Sequence, residues 1–236
     1  SLSVAAYKSK STGGGVRWGL PIGEKESISF GPSIDHTEIE LLNDSPQRYK
    51  DFVAQNGSSN VTTMMNLGWA SDGRDSVLWT TKGTVQRASA EVSTPLGDLQ
   101  YYRLSYKFEH YRPLTRDLTL YLSTDLGYGK GYSGDDLPFY KNFYAGGWGT
   151  IRGYETASLG PRDNVNGTET NDRLGGNRRF AATAELMIPA PLSGFEKQLR
   201  IGTFVDAAQV WGDATSEYQD GPVRMTFGLS AYWTSP

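Results

Sequence analysis

Apolar and polar residues alternate with a period of two through most of the chain. Within each run the apolar members share one parity, as strands with a single apolar face require. The pattern is clearest in residues 117 to 128, where Leu118, Leu120, Leu122, Leu126 and Tyr128 oppose Asp117, Thr119, Tyr121, Ser123, Asp125 and Gly127. In residues 99 to 111, Tyr102, Leu104, Tyr106 and Phe108 oppose Arg103, Ser105, Lys107 and Glu109. In residues 178 to 188, Phe180, Ala182, Ala184, Leu186 and Ile188 oppose Arg179, Thr183 and Glu185. Further strands are predicted at 1 to 9, 15 to 22, 25 to 41, 60 to 71, 83 to 95, 198 to 211 and 223 to 235, giving about ten strands. No stretch carries a helical period long enough to predict a helix, and no linker divides the chain, so a single domain over residues 1–236 is expected.

Short connections such as Pro21-Ile22-Gly23 and Arg112-Pro113-Leu114 contrast with long ones at 42 to 58 and 129 to 176. Short and long turns at opposite ends suit an antiparallel up-and-down barrel. Alternation alone does not say which face is inside. A soluble ligand-binding barrel turns its apolar face inward, whereas a membrane barrel turns it to lipid and lines a wet lumen with polar residues. Predicted strands of nine to thirteen residues suit a tilted membrane crossing. Trp18, Trp69, Trp79, Tyr111, Tyr128, Trp211 and Trp233, near strand ends, read as interfacial girdles.

Composition narrows the function classes. With 28 glycines, 14 tyrosines, 6 tryptophans and only 37% hydrophobic residues, the chain fits a sheet with one polar face better than a large dry core. A formal charge of −3 gives no basic footprint for nucleic acid. The absence of cysteine removes disulfides, thiolate metal sites and cysteine nucleophiles. No run reaches 18 apolar residues, which excludes a membrane helix and is silent about membrane strands. Ser1-Leu2-Ser3-Val4-Ala5 lacks the regions of a signal peptide, so a processed chain or a fragment is expected.

Most local motifs have plain readings. Gly13-Gly14-Gly15 and Gly127-Tyr128-Gly129-Lys130-Gly131 open no helix and read as turn glycines. Aligning Gly167 of Asp163-Asn164-Val165-Asn166-Gly167 with a calcium loop puts Arg162 and Arg173 at ligand positions, so that reading fails. His36 and His110 lie in separate predicted strands. No catalytic residue, metal site or cofactor is expected, and the chain does not read as an enzyme. Asn56-Gly57-Ser58, Asn60-Val61-Thr62 and Asn166-Gly167-Thr168 are read as loop chemistry, and Asp72-Gly73-Arg74-Asp75-Ser76 as a solvated hairpin turn.

Residues 129–176 are different, because a loop longer than about 15 residues is usually functional or disordered. Phe139, Tyr140, Phe143, Tyr144, Trp148, Ile151 and Tyr154 supply too much apolar surface for a solvated tail. In a barrel, part of this loop would pack in the lumen, where Arg152 among glycines could reach wall carboxylates with its bidentate fork. Parity nominates Glu185, and also Asp206, which lies with Arg200 opposite Leu199, Ile201 and Val205. On pattern alone a surface arginine in a mobile loop remains the competing reading.

Gly149-Thr150-Ile151-Arg152-Gly153-Tyr154, followed by Leu159-Gly160-Pro161-Arg162, resembles the loop-six signature of BamA-type outer-membrane protein assembly factors. Asp72 to Ser76 with Gly83, Ala184-Glu185-Leu186 with Pro189 and Pro191, Phe204-Val205-Asp206 with Val210-Trp211, and Trp233-Thr234-Ser235-Pro236 resemble further barrel segments of that family, in family order. The resemblance covers essentially the whole chain. It implies an all-β transmembrane barrel with a long lumen-inserted extracellular loop carrying Gly149, Ile151, Arg152, Gly153 and Tyr154. Arg152 would pair with Asp206, with Glu185 nearby.

The resemblance further implies a non-enzymatic insertase in the outer membrane of a Gram-negative bacterium. Its partners would be outer-membrane lipids, unfolded client outer-membrane proteins and, through periplasmic POTRA domains, assembly-complex lipoproteins. Family barrels have sixteen strands. Against that pattern the POTRA domains, about four opening strands and about two closing strands are expected to be missing here. Open edges are not tolerated in lipid, so such a piece is expected to close on itself, pair with another copy or be completed by another chain. The related two-partner secretion transporters, which share an arginine-glycine-aromatic loop, are the nearest alternative.

Overall fold

The computed structural model describes residues 7–165, 168–191, 198–212 and 222–233. Its strands are β1 (Tyr7–Gly15), β2 (Trp18–Pro21), β3 (Glu26–Leu41), β4 (Ser59–Asp72), β5 (Gly83–Ser93), β6 (Tyr101–Pro113), β7 (Thr119–Gly131), β8 (Arg162–Val165), β9 (Thr168–Arg173), β10 (Arg178–Pro189), β11 (Leu199–Trp211) and β12 (Arg224–Trp233). One ten-stranded sheet follows the order β1-β3-β4-β5-β6-β7-β10-β11-β12, with β2 added beside β3. Its pairings are antiparallel, so each strand returns beside its predecessor in an up-and-down path.

The burial of side chains shows which face is which. Leu104, Leu122, Leu126, Leu186, Ile188, Ile201 and Val205, all on the apolar parity, are 36% to 45% exposed. On the opposite parity Thr119, Glu185, Arg200, Phe204 and Asp206 are buried. The sheet is therefore inside-out relative to a soluble barrel, which cannot hold its apolar face in water and its charges in the core. The soluble-barrel reading falls on this observation.

Two of the aromatics assigned to girdles belong elsewhere. Tyr111 has the parity of Lys107 and Glu109, and its ring packs 4.8 Å from that of Tyr121 on the inner face. Trp79 lies against Arg200, 3.9 Å from the guanidinium carbon. Trp18 and Trp233 are exposed, as a girdle position requires.

The connections hold more structure than the sequence pattern predicted. Residues 42–58 contain helix α1 (Gln47–Asn56), which ends at Gly57 with φ 81°. Its apolar contacts are few and closely spaced: Tyr49, Phe52 and Val53 pack with Ile39, Phe139 and Leu174. Tyr49 is fully buried, its ring stacked 4.0 Å from that of Phe139, and burial pushes its phenol well above the usual range. Within the long loop β8 and β9 form a separate two-stranded hairpin. The first strand runs through Gly15 rather than ending near residue 9. The predicted residues 1–6, Asn166-Gly167 and Thr234-Ser235-Pro236 lie outside the described residues.

Candidate functional site

The loop between β7 and β10 enters the barrel through a series of aromatic anchors. Phe139 packs against α1, and Lys141 reaches Glu91 on β5 at 2.9 Å, beside the Tyr101 hydroxyl, which donates to the same carboxylate at 2.8 Å. Phe143 then meets two guanidinium groups, its ring centroid 4.2 Å from the guanidinium carbon of Arg103 and 5.3 Å from that of Arg179. Its ring lies against Gly127, where an added Cβ would come within 2.6 Å of Phe143 Cε1. Arg179 in turn bonds Asp125 at 2.5 Å.

Beyond Phe143 the chain folds into a compact turn. Ala145 bridges to Leu159 and Gly147 to Ile151. The Ile151 amide donates to the Gly147 carbonyl at 3.0 Å, and the Gly146 amide donates to the Thr150 hydroxyl at 2.8 Å. Gly146 and Gly147 have φ of 127° and 85°, in the left-handed region that favours glycine. Ile151 is fully buried with Ala145, Leu159, Ala181, Ala208 and Val210, and Tyr154 packs against that cluster. Burying Ile151 fixes where the next residue points.

That residue is Arg152, and it carries the site. Its backbone amide donates to Asp206 Oδ2 at 3.0 Å, Nε donates to the same oxygen at 2.7 Å, and Nη2 donates to Oδ1 at 2.7 Å. Nη1 donates to Glu185 Oε2 at 2.8 Å and to the Tyr232 hydroxyl at 3.1 Å. The guanidinium carbon lies 3.4 Å from the centroid of Phe204, so the ring fills one face while carboxylates occupy the edge. Arg152 is only 8% exposed, and Glu185 and Asp206 are 1% exposed each.

The carboxylates have further donors. Thr183 donates to Asp206 Oδ1 at 2.9 Å, Tyr232 to Glu185 Oε2 at 2.9 Å, and Ser230 to Glu185 Oε1. One cation facing two carboxylates leaves a formal excess of one negative charge. These hydroxyl donors offset the desolvation that burial imposes on it. The arrangement is a buried, hydrogen-bonded ion network suited to fixing a loop.

Ile151, Arg152, Gly153, Tyr154, Glu185 and Asp206 fall in or beside this network. Glu185 and Asp206 lie on the inner face of β10 and β11, as parity requires, and both bond Arg152. Gly153 continues the turn with φ 85°, whereas Gly149 has open space around it and is not in the left-handed region. Trp148 departs from expectation: it is 71% exposed and lines a cavity of about 630 Å³ below the loop. Phe204, Tyr232, Ser230 and Thr183 were not singled out as loop partners. Phe204 carried a usable signal, an aromatic on the parity of Arg200 and Asp206.

The Omp85 superfamily domain matches residues 2–236. The outer membrane protein assembly factor BamA of Neisseria meningitidis serogroup B is 32% identical over 239 residues, covering 97% of this chain and 29% of that protein. BamA of Nitratidesulfovibrio vulgaris is 28% identical, covering 98% of this chain and 28% of that protein. The chain thus spans under a third of the length of these curated relatives.

Among solved structures, BamA from Haemophilus ducreyi lacking POTRA domains 1–3 superposes with a TM-score of 0.89 at 25% identity, over 98% of this chain and 49% of that one. CdiB from Acinetobacter baumannii shares the fold at a TM-score of 0.55 and 17% identity, over 97% of this chain and 37% of that one. With its inside-out sheet and relatives of this kind, the chain is placed in the outer membrane of a Gram-negative bacterium. With a BamA barrel superposing over 98% of the chain and a family model matching nearly every residue, the conclusion is that the chain belongs to the Omp85 superfamily.

Proposed function

We propose that this chain is part of the barrel of an assembly factor that inserts β-barrel proteins into the outer membrane without covalent chemistry. Residues 1–236 would form one barrel domain, with the loop around Arg152 bracing its wall. The observation that carries the reading is the buried network of Arg152, Asp206 and Glu185, set in a chain with BamA relatives. Unfolded outer-membrane proteins are the clients, lipid surrounds the apolar face, and accessory lipoproteins act through periplasmic domains beyond this chain.

The test is complementation. Cells depleted of their own assembly factor are supplied with the full-length protein containing this segment. Restored levels of folded outer-membrane porins support the reading, and Arg152→Ala should reduce them several-fold at equal protein level. Porin levels that stay low while a single exported polypeptide is secreted would overturn it in favour of a two-partner transporter.

A further inference from the structure

The connection between β4 and β5, residues 73–82, lies at the end of the barrel opposite the Arg152 loop. The neighbouring connections there, residues 22–25 and 114–118, are short. This one is longer and folds on itself. Arg74 bonds Asp72 through Nε at 2.9 Å and Nη2 at 2.6 Å. Asp75 accepts from the Thr81 amide at 3.0 Å and the Lys82 amide at 3.2 Å, and also from the Thr81 hydroxyl. The Trp79 amide donates to the Ser76 hydroxyl at 3.1 Å, and the Thr80 hydroxyl donates to the Ser76 carbonyl at 2.6 Å. Gly83 closes the turn with φ 120°, where a Cβ would lie 2.3 Å from the Gly73 carbonyl oxygen. The motif from Asp72 to Ser76 thus builds a rigid turn.

That turn also crosses the lumen. Arg200 of β11 donates through Nη1 to the Thr80 carbonyl at 2.6 Å, and its guanidinium carbon lies 3.9 Å from the Trp79 ring centroid. Along the sheet β5 and β11 are four strand spacings apart, about 19 Å at about 4.8 Å per spacing. The contact is possible only because the turn leaves its own strands and reaches the opposite wall. Arg200 is 8% exposed and Thr80 is 5% exposed, so the junction is buried. Val77, Leu78, Trp79 and Thr80 line the same cavity of about 630 Å³ that Trp148 and Arg152 line from the other end.

We propose that residues 75–80 form a latch closing the lumen at its short-turn end, and that Arg200 is the residue holding it shut. The two grips differ in kind. Arg152 is bound by two carboxylates, whereas Arg200 meets a neutral carbonyl and an indole, partners it can release without stranding a buried anion. The short-turn latch is therefore the end built to open, while the Arg152 loop stays in place.

The chain contains no cysteine, so single cysteine probes report cleanly. In the full-length protein freed of any other cysteine, Thr80→Cys is placed at the buried junction and Thr150→Cys in the Arg152 loop. Both are treated with a membrane-impermeant maleimide. The expected result is slow labelling at position 80, becoming at least tenfold faster with Arg200→Ala and several-fold faster with Trp79→Ala, with position 150 unchanged. Planar-bilayer recordings of the same variants should show more frequent conducting events. Trp79→Ala leaves β11 intact and keeps the test decisive should Arg200→Ala fail to fold. Labelling and conductance unchanged in both variants would overturn the latch, as would acceleration at positions 80 and 150 together, which marks a wholesale loosening of the barrel. Neither readout depends on assembly activity.

Discussion

Gly228 stands directly across from Phe204 in the β11–β12 register, and a Cβ there would lie 2.8 Å from Phe204 Cζ. The missing side chain leaves room for the ring that supports Arg152. Gly228→Ala should tilt Phe204 off the guanidinium and cost about 1–3 kcal/mol from overpacking. The lost cation–π contact would add about 1–2 kcal/mol. The measurement is the urea midpoint of the folded band on semi-native gels, with Phe204→Leu Gly228→Ala as the variant that restores part of the loss. An unchanged midpoint in Gly228→Ala refutes the packing argument.

Removing Arg152 strands two buried carboxylates. Arg152→Ala should destabilise the barrel by about 3–5 kcal/mol, the range for breaking one side of a buried ion pair. Arg152→Lys should recover only part, because an ammonium cannot bond both oxygens of Asp206 and still reach Glu185. Denaturant midpoints in detergent, read beside protease digestion of residues 132–177, check both statements. A lysine variant as stable as the parent would show that charge alone suffices.

Phe143 packs against the guanidinium groups of both Arg103 and Arg179. Phe143→Ala should cost about 3–5 kcal/mol, as large-to-small changes at buried aromatics do. It should free the outer half of the loop first. Hydrogen exchange would speed up around residues 139–147 while the amides near Ile151 and Arg152 remain protected. Equal acceleration in both regions would mean that the loop is one cooperative unit.

Asp75 gives the short-turn end a pH dependence. Burial raises its pKa, but hydrogen bonds from the Thr81 hydroxyl and the Thr81 and Lys82 amides outweigh this and hold it below the ordinary carboxylate value. A lowered folded-state pKa contributes stability fully present above the unfolded value near 3.9 and lost as pH falls through the folded one. Exchange at the Thr81 and Lys82 amides, corrected for intrinsic rates, should therefore be flat at neutral pH and rise below about pH 4. Asp75→Asn should remove the dependence. A turn that opens between pH 6 and 8 would contradict this assignment.

Parity made much of the wall legible before any coordinates. The faces of β6, β7 and β10 follow from residues such as Leu104, Leu122 and Leu186, because lipid demands a continuous apolar side. The same rule placed Glu185 and Asp206 in the lumen. It failed where long-range packing decides. Helix α1 depends on Tyr49, Phe52 and Val53 alone, too few to stand out as a period in ten residues. Trp79 was read from its nearness to a strand end, whereas its location depends on Arg200, 121 positions away in a strand across the lumen. Tyr111 was legible and misassigned, since its parity already placed it with Lys107. Ser230 and Tyr232 share the parity of Thr226 on β12, opposite exposed Phe227 and Leu229, so splitting that strand into faces would have found them.

Both arginine contacts land on β11, six residues apart, a span of about 20 Å at about 3.3 Å per residue. The strand is pinned at two points by segments arriving from opposite ends of the barrel. A register slip of β11 must move by two residues to keep its faces, about 6.6 Å, and would break both contacts at once. Sliding of β11 against its surroundings is thereby excluded as an easy motion. Among the described residues the neighbouring β12 is tied to one of these two pins, through Ser230 and Tyr232 at the Arg152 network, so β11 is the fixed rail against which this side of the sheet is set.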